Sequence, residues 1–361
     1  MNAQQHRMSS PYMHWAKTHF HAKYNLAMSG MMNYPLSSLP VNMNDLTITG
    51  QSFYGYEPLC NEIGKRSGVG RDNIYTTIGT SFANYIVMAA LFEPDDEVII
   101  EHPAYELLLS TAEHIGYSIK RCHRRPENNF NIDPDEIRTI ITPKTKLIVL
   151  TNLHNPTSVY ADDSVLQNIG LIGKQAGAHV CVDEVYLDAM FEQSPRSSFH
   201  LDENIIITNS LTKIYGLSGL RCGWVLAQPA IVQKLWRLTD LMYVNHVHLA
   251  EQLSAAAFKH LDQIQLWARG ILETNRCTLN AFLDERDDLD CIRPGYGTVV
   301  FPRLKNGDVE KLSDLLNNKY NTAITPGRFF EMPHHFRIGL GSNPEEFSIG
   351  IANLKKVLDE I

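Results

Sequence analysis

From about residue 73 onward the chain alternates short apolar runs with helical patterns, and few architectures accept that rhythm. The strand-like runs are Ile74–Ile78, Glu97–Glu101, Ser118–Arg121, Lys146–Thr151, His179–Asp183, Asn204–Thr208 and Gly223–Ala227. Helical stretches such as Ser81–Phe92, Tyr105–His114 and Ser164–Ala176 separate most of them. Runs rich in Val and Ile and apolar throughout suit strands buried on both faces, as in a parallel sheet with helices on either side. The pattern predicts an α/β fold around a mainly parallel, seven-stranded sheet.

The flanking regions read differently. Before the alternation lie a helix from Pro11 to about Lys23, an extended segment Tyr24–Met31, an irregular stretch around Pro35 and Pro40, and a helix over 57–67 stopped by Gly68 and Gly70. After Pro229 the pattern is helical to about Asp287, and Arg293-Pro-Gly-Tyr-Gly297 breaks it. Strand-like Thr298–Pro302, a helix near Val309–Lys319, strand-like Phe336–Leu340 and a last helix Pro344–Glu360 form a smaller α+β unit. The expected division is an N-terminal arm at 1–44, a large domain at 45–245 and a small domain at 246–361, with the arm packed on the small one.

Charge and composition exclude several roles. A net charge of −8 argues against general nucleic-acid binding, which needs clustered Lys and Arg. The longest apolar run, Tyr85–Phe92, is too short to span a bilayer, and residues 1–30 lack the apolar core of a signal peptide. Six scattered cysteines without a C-x-x-C pair read as reduced thiols of a cytoplasmic protein. His6, His14, His19 and His21 have no suitably spaced Cys or acidic partner, so they read as part of an exposed arm rather than a metal site.

Ligands of an open parallel sheet bind beyond the carboxyl ends of its strands, and the unusual polar residues fall there. Gly79-Thr80-Ser81 opens a helix, where free N–H groups suit a phosphate. Tyr105, Asn155-Pro156-Thr157, Asp183 with Tyr186, and Ser210 three residues before Lys213 follow later strands, and Arg221 comes after a glycine-bearing turn. Each has an ordinary reading as a cap or turn residue. Their joint placement at one edge puts an amine nucleophile beside an anion site.

These residues resemble the fold type I, pyridoxal-phosphate-dependent aminotransferase family (class I/II) over roughly residues 45–345. The motifs that carry the likeness are Ser210-Leu-Thr-Lys213 with Gly219-Leu-Arg-Cys-Gly223, Asn155-Pro-Thr157, Asp183-Glu-Val-Tyr186, Pro326-Gly-Arg-Phe329 and Phe336-Arg-Ile338. The resemblance implies a large domain binding pyridoxal 5'-phosphate, with Lys213 in Schiff-base linkage to it. It gives Asp183 to the pyridinium nitrogen, Tyr186 and Asn155 to the phenolic oxygen, and Tyr105 to the ring face. Gly79, Thr80, Ser81, Ser210 and Arg221 would hold the phosphate. Arg337 would fork the substrate carboxylate, helped by Asn155 and by the backbone at Gly30 in a covering segment Ser29–Met31. Lys213, Asp183 and Tyr186 are thus the expected catalytic set, acting on an amino acid and a 2-oxo acid.

A homodimer with shared sites is implied as well, with Tyr54 and Tyr243–His246 as candidates for reaching the neighbour. The sequence departs from the family pattern at Gly50, where many members carry a tyrosine, at Ser158, usually glycine, and at Cys60, often arginine. Trp15–Gly30 is faintly similar to capreomycidine synthase-like members, which cyclise an arginine-derived substrate on the same cofactor. That reaction, a lyase or a decarboxylase is the alternative to transamination. A Ser-x-x-Lys acyltransferase would need S-D-N and K-T-G companions, which are absent. A nicotinamide enzyme would need G-x-G-x-x-G after a strand, but Gly68-Val-Gly70 precedes one.

Overall fold

The computed structural model describes residues 8–19 and 21–360. His6 lies outside the described residues, as do the first seven positions of the expected arm and Phe20. In chain order the chain begins with α1 (Pro11–His19), β1 (Tyr24–Asn25), α2 (Glu57–Ser67), β2 (Ile74–Thr77) and α3 (Thr80–Leu91). It continues with β3 (Glu97–His102), α4 (Glu106–Ile115), β4 (Ser118–His123), α5 (Pro134–Ile140), β5 (Thr145–Thr151), α6 (Asp163–Ala176) and β6 (His179–Asp183). Then come β7 (Ile205–Ser210), β8 (Gly223–Leu226), α7 (Pro229–Thr239), α8 (His248–Phe258) and α9 (Leu261–Asp284). Short strands β9 (Leu289–Asp290) to β14 (Phe336–Gly339), α10 (Val309–Tyr320) and α11 (Pro344–Leu358) complete it.

All seven strand-like runs enter one sheet, in the order β2-β8-β7-β6-β5-β3-β4. Only β8 runs antiparallel to its neighbours, so the sheet is mainly parallel, as the alternation predicted. Successive side chains of a strand go to opposite faces, and the core divides accordingly. Ile148 and Leu150 of β5 join Val180, Val182 and Ile207 on one face; Leu147 and Val149 join Cys181, Ile206 and Val225 on the other. Burial on both faces is what makes these strands uniformly apolar.

A second core gathers Leu272, Leu279, Val300, Phe336, Ile338 and Leu354, with Leu26 of the arm inserted. Along α9, Leu261 and Ile264 pack into the sheet's core, whereas Ala268 and later residues pack into the second. Helix α8 also faces the sheet core, through Ala255, Ala257 and Phe258.

Three local readings change. The helix expected to reach Lys23 ends at His19, because β1 is recruited as a parallel strand beside Thr322–Ala323. The helical region after Pro229 divides into α7, α8 and α9, with 240–247 non-helical between the first two. Helix α5 went unread, although Asp133 caps it by accepting from Asp135 N at 2.9 Å and proline follows the cap.

Candidate active site

Parallel register sets the edge of the site. Thr151 and Asp183, which end β5 and β6, lie side by side with Thr208, two residues before the end of β7, so the loops that follow converge. The N-terminus of α3 approaches the same edge. Together they enclose a cavity of about 200 Å³ lined by Thr80, Ser81, Tyr105, Asn155, Asp183, Tyr186, Ser210, Lys213 and Arg221. Gly79 is the residue capping α3 at its rim. Gly30 and Arg337 do not line the cavity.

Asp183 is nearly fully buried, and desolvation pushes its carboxyl up to about 6. Three groups oppose that rise: Asn84 Nδ2 donates to Oδ2 at 2.9 Å, Val185 N donates to Oδ1 at 3.1 Å, and Lys213 adds positive charge. Asn84 is itself fixed by Thr208 Oγ1, which donates to its Oδ1 at 2.6 Å. The sequence reading missed Asn84. Its signal was a polar residue one turn after Thr80 in the otherwise apolar helix Thr80–Leu91, on the face that carries the site.

Lys213 Nζ donates to Ser29 Oγ at 2.8 Å and lies 5.9 Å from the Tyr186 ring centre. Burial depresses the ammonium below the ordinary lysine range; the Asp183 charge resists this, and the Arg337 and Arg221 charges add to it. The Tyr186 phenol is raised by burial, with Arg337 pulling it down. Burial also raises the Tyr105 phenol far above its usual range. The cavity therefore holds a lysine biased toward free amine and an aspartate that gains from a cation beside it.

The anion end is built at α3. Gly79 has φ 92°, no side chain caps the helix, and Thr80 Oγ1 is buried without a hydrogen-bond partner. A Cβ at Gly79 would stand 2.5 Å from Arg221 Nη2, so only glycine admits the guanidinium there. Arg221 adopts φ 50° and donates through Nη2 to Ile78 O at 3.1 Å. Uncapped amides, an unpartnered hydroxyl and a guanidinium fit a phosphate. With the Asp183–Lys213 pair, this donor set fits pyridoxal phosphate.

Arg337, on β14, is fully buried behind Asn155. Its Nη1 donates to Asn155 Oδ1 at 3.0 Å, and its Nη2 donates to Tyr12 Oη at 3.0 Å and Ala27 O at 3.1 Å. Asn155 N donates to Thr151 Oγ1 at 2.9 Å, which donates to Glu101 Oε1 at 2.5 Å; Glu101 in turn pairs with Arg124 at 2.8 Å. Both ions of that pair are fully buried. Glu101 closes a strand-like run and Arg124 lies beyond the run Ser118–Arg121, and no sequence signal linked them to the site. Gly30 packs against the Lys213 backbone, where a Cβ would stand 3.1 Å from Lys213 Cα, and Met31 N donates to Lys213 O at 2.7 Å. The strap thus offers Ser29, rather than Gly30, to the cavity.

The departures from the family pattern have local reasons. A side chain at Gly50 would run into the His248 imidazole, which would have to move to admit a tyrosine there. Tyr54 lies outside this cavity, 45% exposed, with the Arg237 guanidinium 4.8 Å over its ring. Tyr243 packs near Phe82, 6.0 Å between ring centres. Ser158 takes the φ of 60° that glycine would supply, and its hydroxyl donates to Val299 O at 2.8 Å.

Comparison with known proteins agrees with this geometry. The profile of the family "Aminotransferase class I and II" matches residues 44–354. A capreomycidine synthase from Streptomyces vinaceus is 28% identical over 97% of this chain and 94% of its own length. An aspartate aminotransferase from Bacillus subtilis is 23% identical over 80% of this chain and 76% of its own. The crystal structure of a PLP-dependent aminotransferase from Streptococcus suis superposes with a TM-score of 0.91 at 26% identity, covering 98% of this chain and 99% of that one. The chain belongs to the aminotransferase class I and II family, enzymes of fold type I that depend on pyridoxal phosphate.

Proposed function

We propose that this enzyme moves an amino group from an amino acid to a 2-oxo acid, with Lys213 as the covalent anchor of the cofactor and the proton-transfer group. The observation that carries the reading is one cavity holding a lysine depressed by burial, an aspartate raised by burial, and an uncapped helix N-terminus faced by Arg221. Pyridoxal phosphate, when bound, supplies an electron sink for the charge left at the substrate Cα.

The rest is done by this chain. Gly79, Thr80, Ser81, Ser210 and Arg221 would hold the phosphate. Asp183, held by Asn84, would set a negative charge against the ring nitrogen. Tyr105 would pack on the ring, and Tyr186 with Asn155 would hold the phenolic oxygen. Lys213 Nζ is the base that would take the proton from the substrate Cα and give it back. Arg337 and Asn155 grip the carboxylate, so that the Cα–H bond faces Nζ, while Gly30 fixes the strap behind Lys213.

Borohydride reduction followed by peptide mapping tests the anchor. A label on Lys213 is expected; a label on another lysine, or none, rejects it.

The 97% alignment with a capreomycidine synthase includes the arm, which the family profile does not reach, and it favours a second reading as a replacement or cyclisation enzyme. A single-turnover assay separates the two: transamination yields a 2-oxo acid and an aminated cofactor, whereas elimination and replacement regenerate the cofactor unchanged.

A homodimer is part of the proposal. Ile48, Phe53, Leu241, Val244 and Val247 are exposed apolar residues on the segments around Tyr54 and Tyr243, where a second copy would cover them. Light scattering of the purified protein checks this. We also place the boundary between the two lobes within α9, where the core changes, and the protein in the cytoplasm, in keeping with six unpaired cysteines.

A further inference from the structure

Both two-pronged edges of a guanidinium, the Nη1/Nη2 end and the Nε/Nη2 side, include Nη2. In Arg337 both Nη2 protons are engaged, by Tyr12 Oη at 3.0 Å and Ala27 O at 3.1 Å, with Thr325 Oγ1 more distant at 3.5 Å. Nη1 donates to Asn155, and Nε has no partner. A carboxylate gripped by the fork must therefore displace an Nη2 partner. Ala27 O belongs to fully buried backbone and also accepts from Thr325 Oγ1 at 3.2 Å. Tyr12 Oη is the tip of a side chain on α1, so of the two Nη2 partners it is the one whose displacement leaves the backbone in place. Among the described residues, no acceptor takes the Tyr12 proton. The Arg337 guanidinium also lies 5.8 Å from the centre of the Tyr12 ring.

We propose that Tyr12 is a specificity-determining residue whose phenol holds the carboxylate position on Arg337 until a carboxylate displaces it. The idea rests on Arg337 being the carboxylate fork. An α-amino acid or 2-oxo acid recovers the displaced hydrogen bond with a charged one, whereas an amine without a carboxylate leaves Tyr12 in place. Tyr12 lies outside the family-matched span of residues 44–354, so the device belongs to the arm rather than to the shared catalytic body.

Tyr12→Phe isolates the hydroxyl. The ring stays packed edge-on against Tyr105 at 5.5 Å and Phe329 at 5.4 Å. The test titrates wild-type, Tyr12→Phe and Arg337→Gln holoenzymes calorimetrically with propionate, which carries a carboxylate and has no amino group to react. Tyr12→Phe is expected to bind propionate about tenfold more tightly, because the free fork then holds an unsatisfied donor. Its KM for amino acids falls in the same direction, by more than kcat changes. Weaker propionate binding overturns the proposal by making the phenol a ligand of the carboxylate; equal binding overturns it by leaving the phenol a packing role alone. If Arg337→Gln binds propionate as well as wild type, the fork assignment itself has failed. If Arg337→Gln loses propionate and Tyr12→Phe shows no tightening, only the Tyr12 proposal falls.

Discussion

Asp183, Ser210 and Lys213 reach the cavity from the ends of β6 and β7, neighbours in one sheet. Arg337 meets its partners Asn155 and Tyr12 across 182 and 325 residues of chain. The first wall inherits its geometry from strand register, which fixes level ends wherever parallel strands pair. The second is assembled from β14, the loop after β5, the strap and α1, and it exists only when the arm is docked. The difference separates two tasks. Under the proposed roles, chemistry would sit on the wall set by strand register, and selection of the substrate on the wall assembled from separate segments.

Substitutions on the two walls should differ in kind. Lys213→Ala carries the largest expected effect, a loss of turnover of roughly 10⁴-fold or more, because the anchor and the proton carrier vanish together. Steady-state rates beside the borohydride label check it, and substantial residual turnover would place the proton-transfer group elsewhere.

Asp183→Asn should lower kcat by about 10²- to 10³-fold while the cofactor still binds. Stability gives this variant a second signature. The Asp183 carboxyl stands at about 6 in the fold against an ordinary 3.8, so ionising it costs folding free energy as pH rises from 3.8, fully so above about 6. Cofactor-free Asp183→Asn should therefore be more stable than wild type at pH 8, by on the order of 2 kcal/mol, with the advantage lost below pH 4. Denaturant melts at the two pH values decide it; a pH-independent difference would mean that the carboxyl is not strained by burial.

On the other wall, Arg337→Lys should raise KM for amino acids by about 10²-fold and leave cofactor affinity near wild type, since an ammonium cannot reproduce the fork. Equal losses in both would erase the distinction between the walls. The smallest effect is expected for Asn84→Ala, about tenfold in kcat. It removes a hydrogen bond that favours the ionised carboxylate, so the acid limb of the cofactor-binding pH profile should move upward. A limb that stays put would show that Asn84 only packs.

Much of the rigid wall is legible in the amino-acid sequence. Asp183 ends an apolar run, and Thr80, Asn155 and Lys213 follow one within a few residues, so placing the strands places the side chains. Asn84 escaped because its function depends on which face of α3 meets β6 and β7, a matter of packing. Glu101 and Arg124 escaped for a stronger reason. A charged residue at the end of a strand reads as a surface position until its partner is known; Glu101 is on β3 and Arg124 directly follows β4, and the sequence does not state that these strands pair.

Periodicity and turn chemistry act over a few residues, and they alone determined the strands, most of the helices and the strand-end polar set. Tertiary structure decided how the remote pieces meet: β1 beside Thr322–Ala323, Ser29 against Lys213, and Tyr12 on Arg337. Those contacts join segments hundreds of residues apart, and their energy comes from burying the arm's Tyr12, Trp15 and Leu26 in cores built by other parts of the chain.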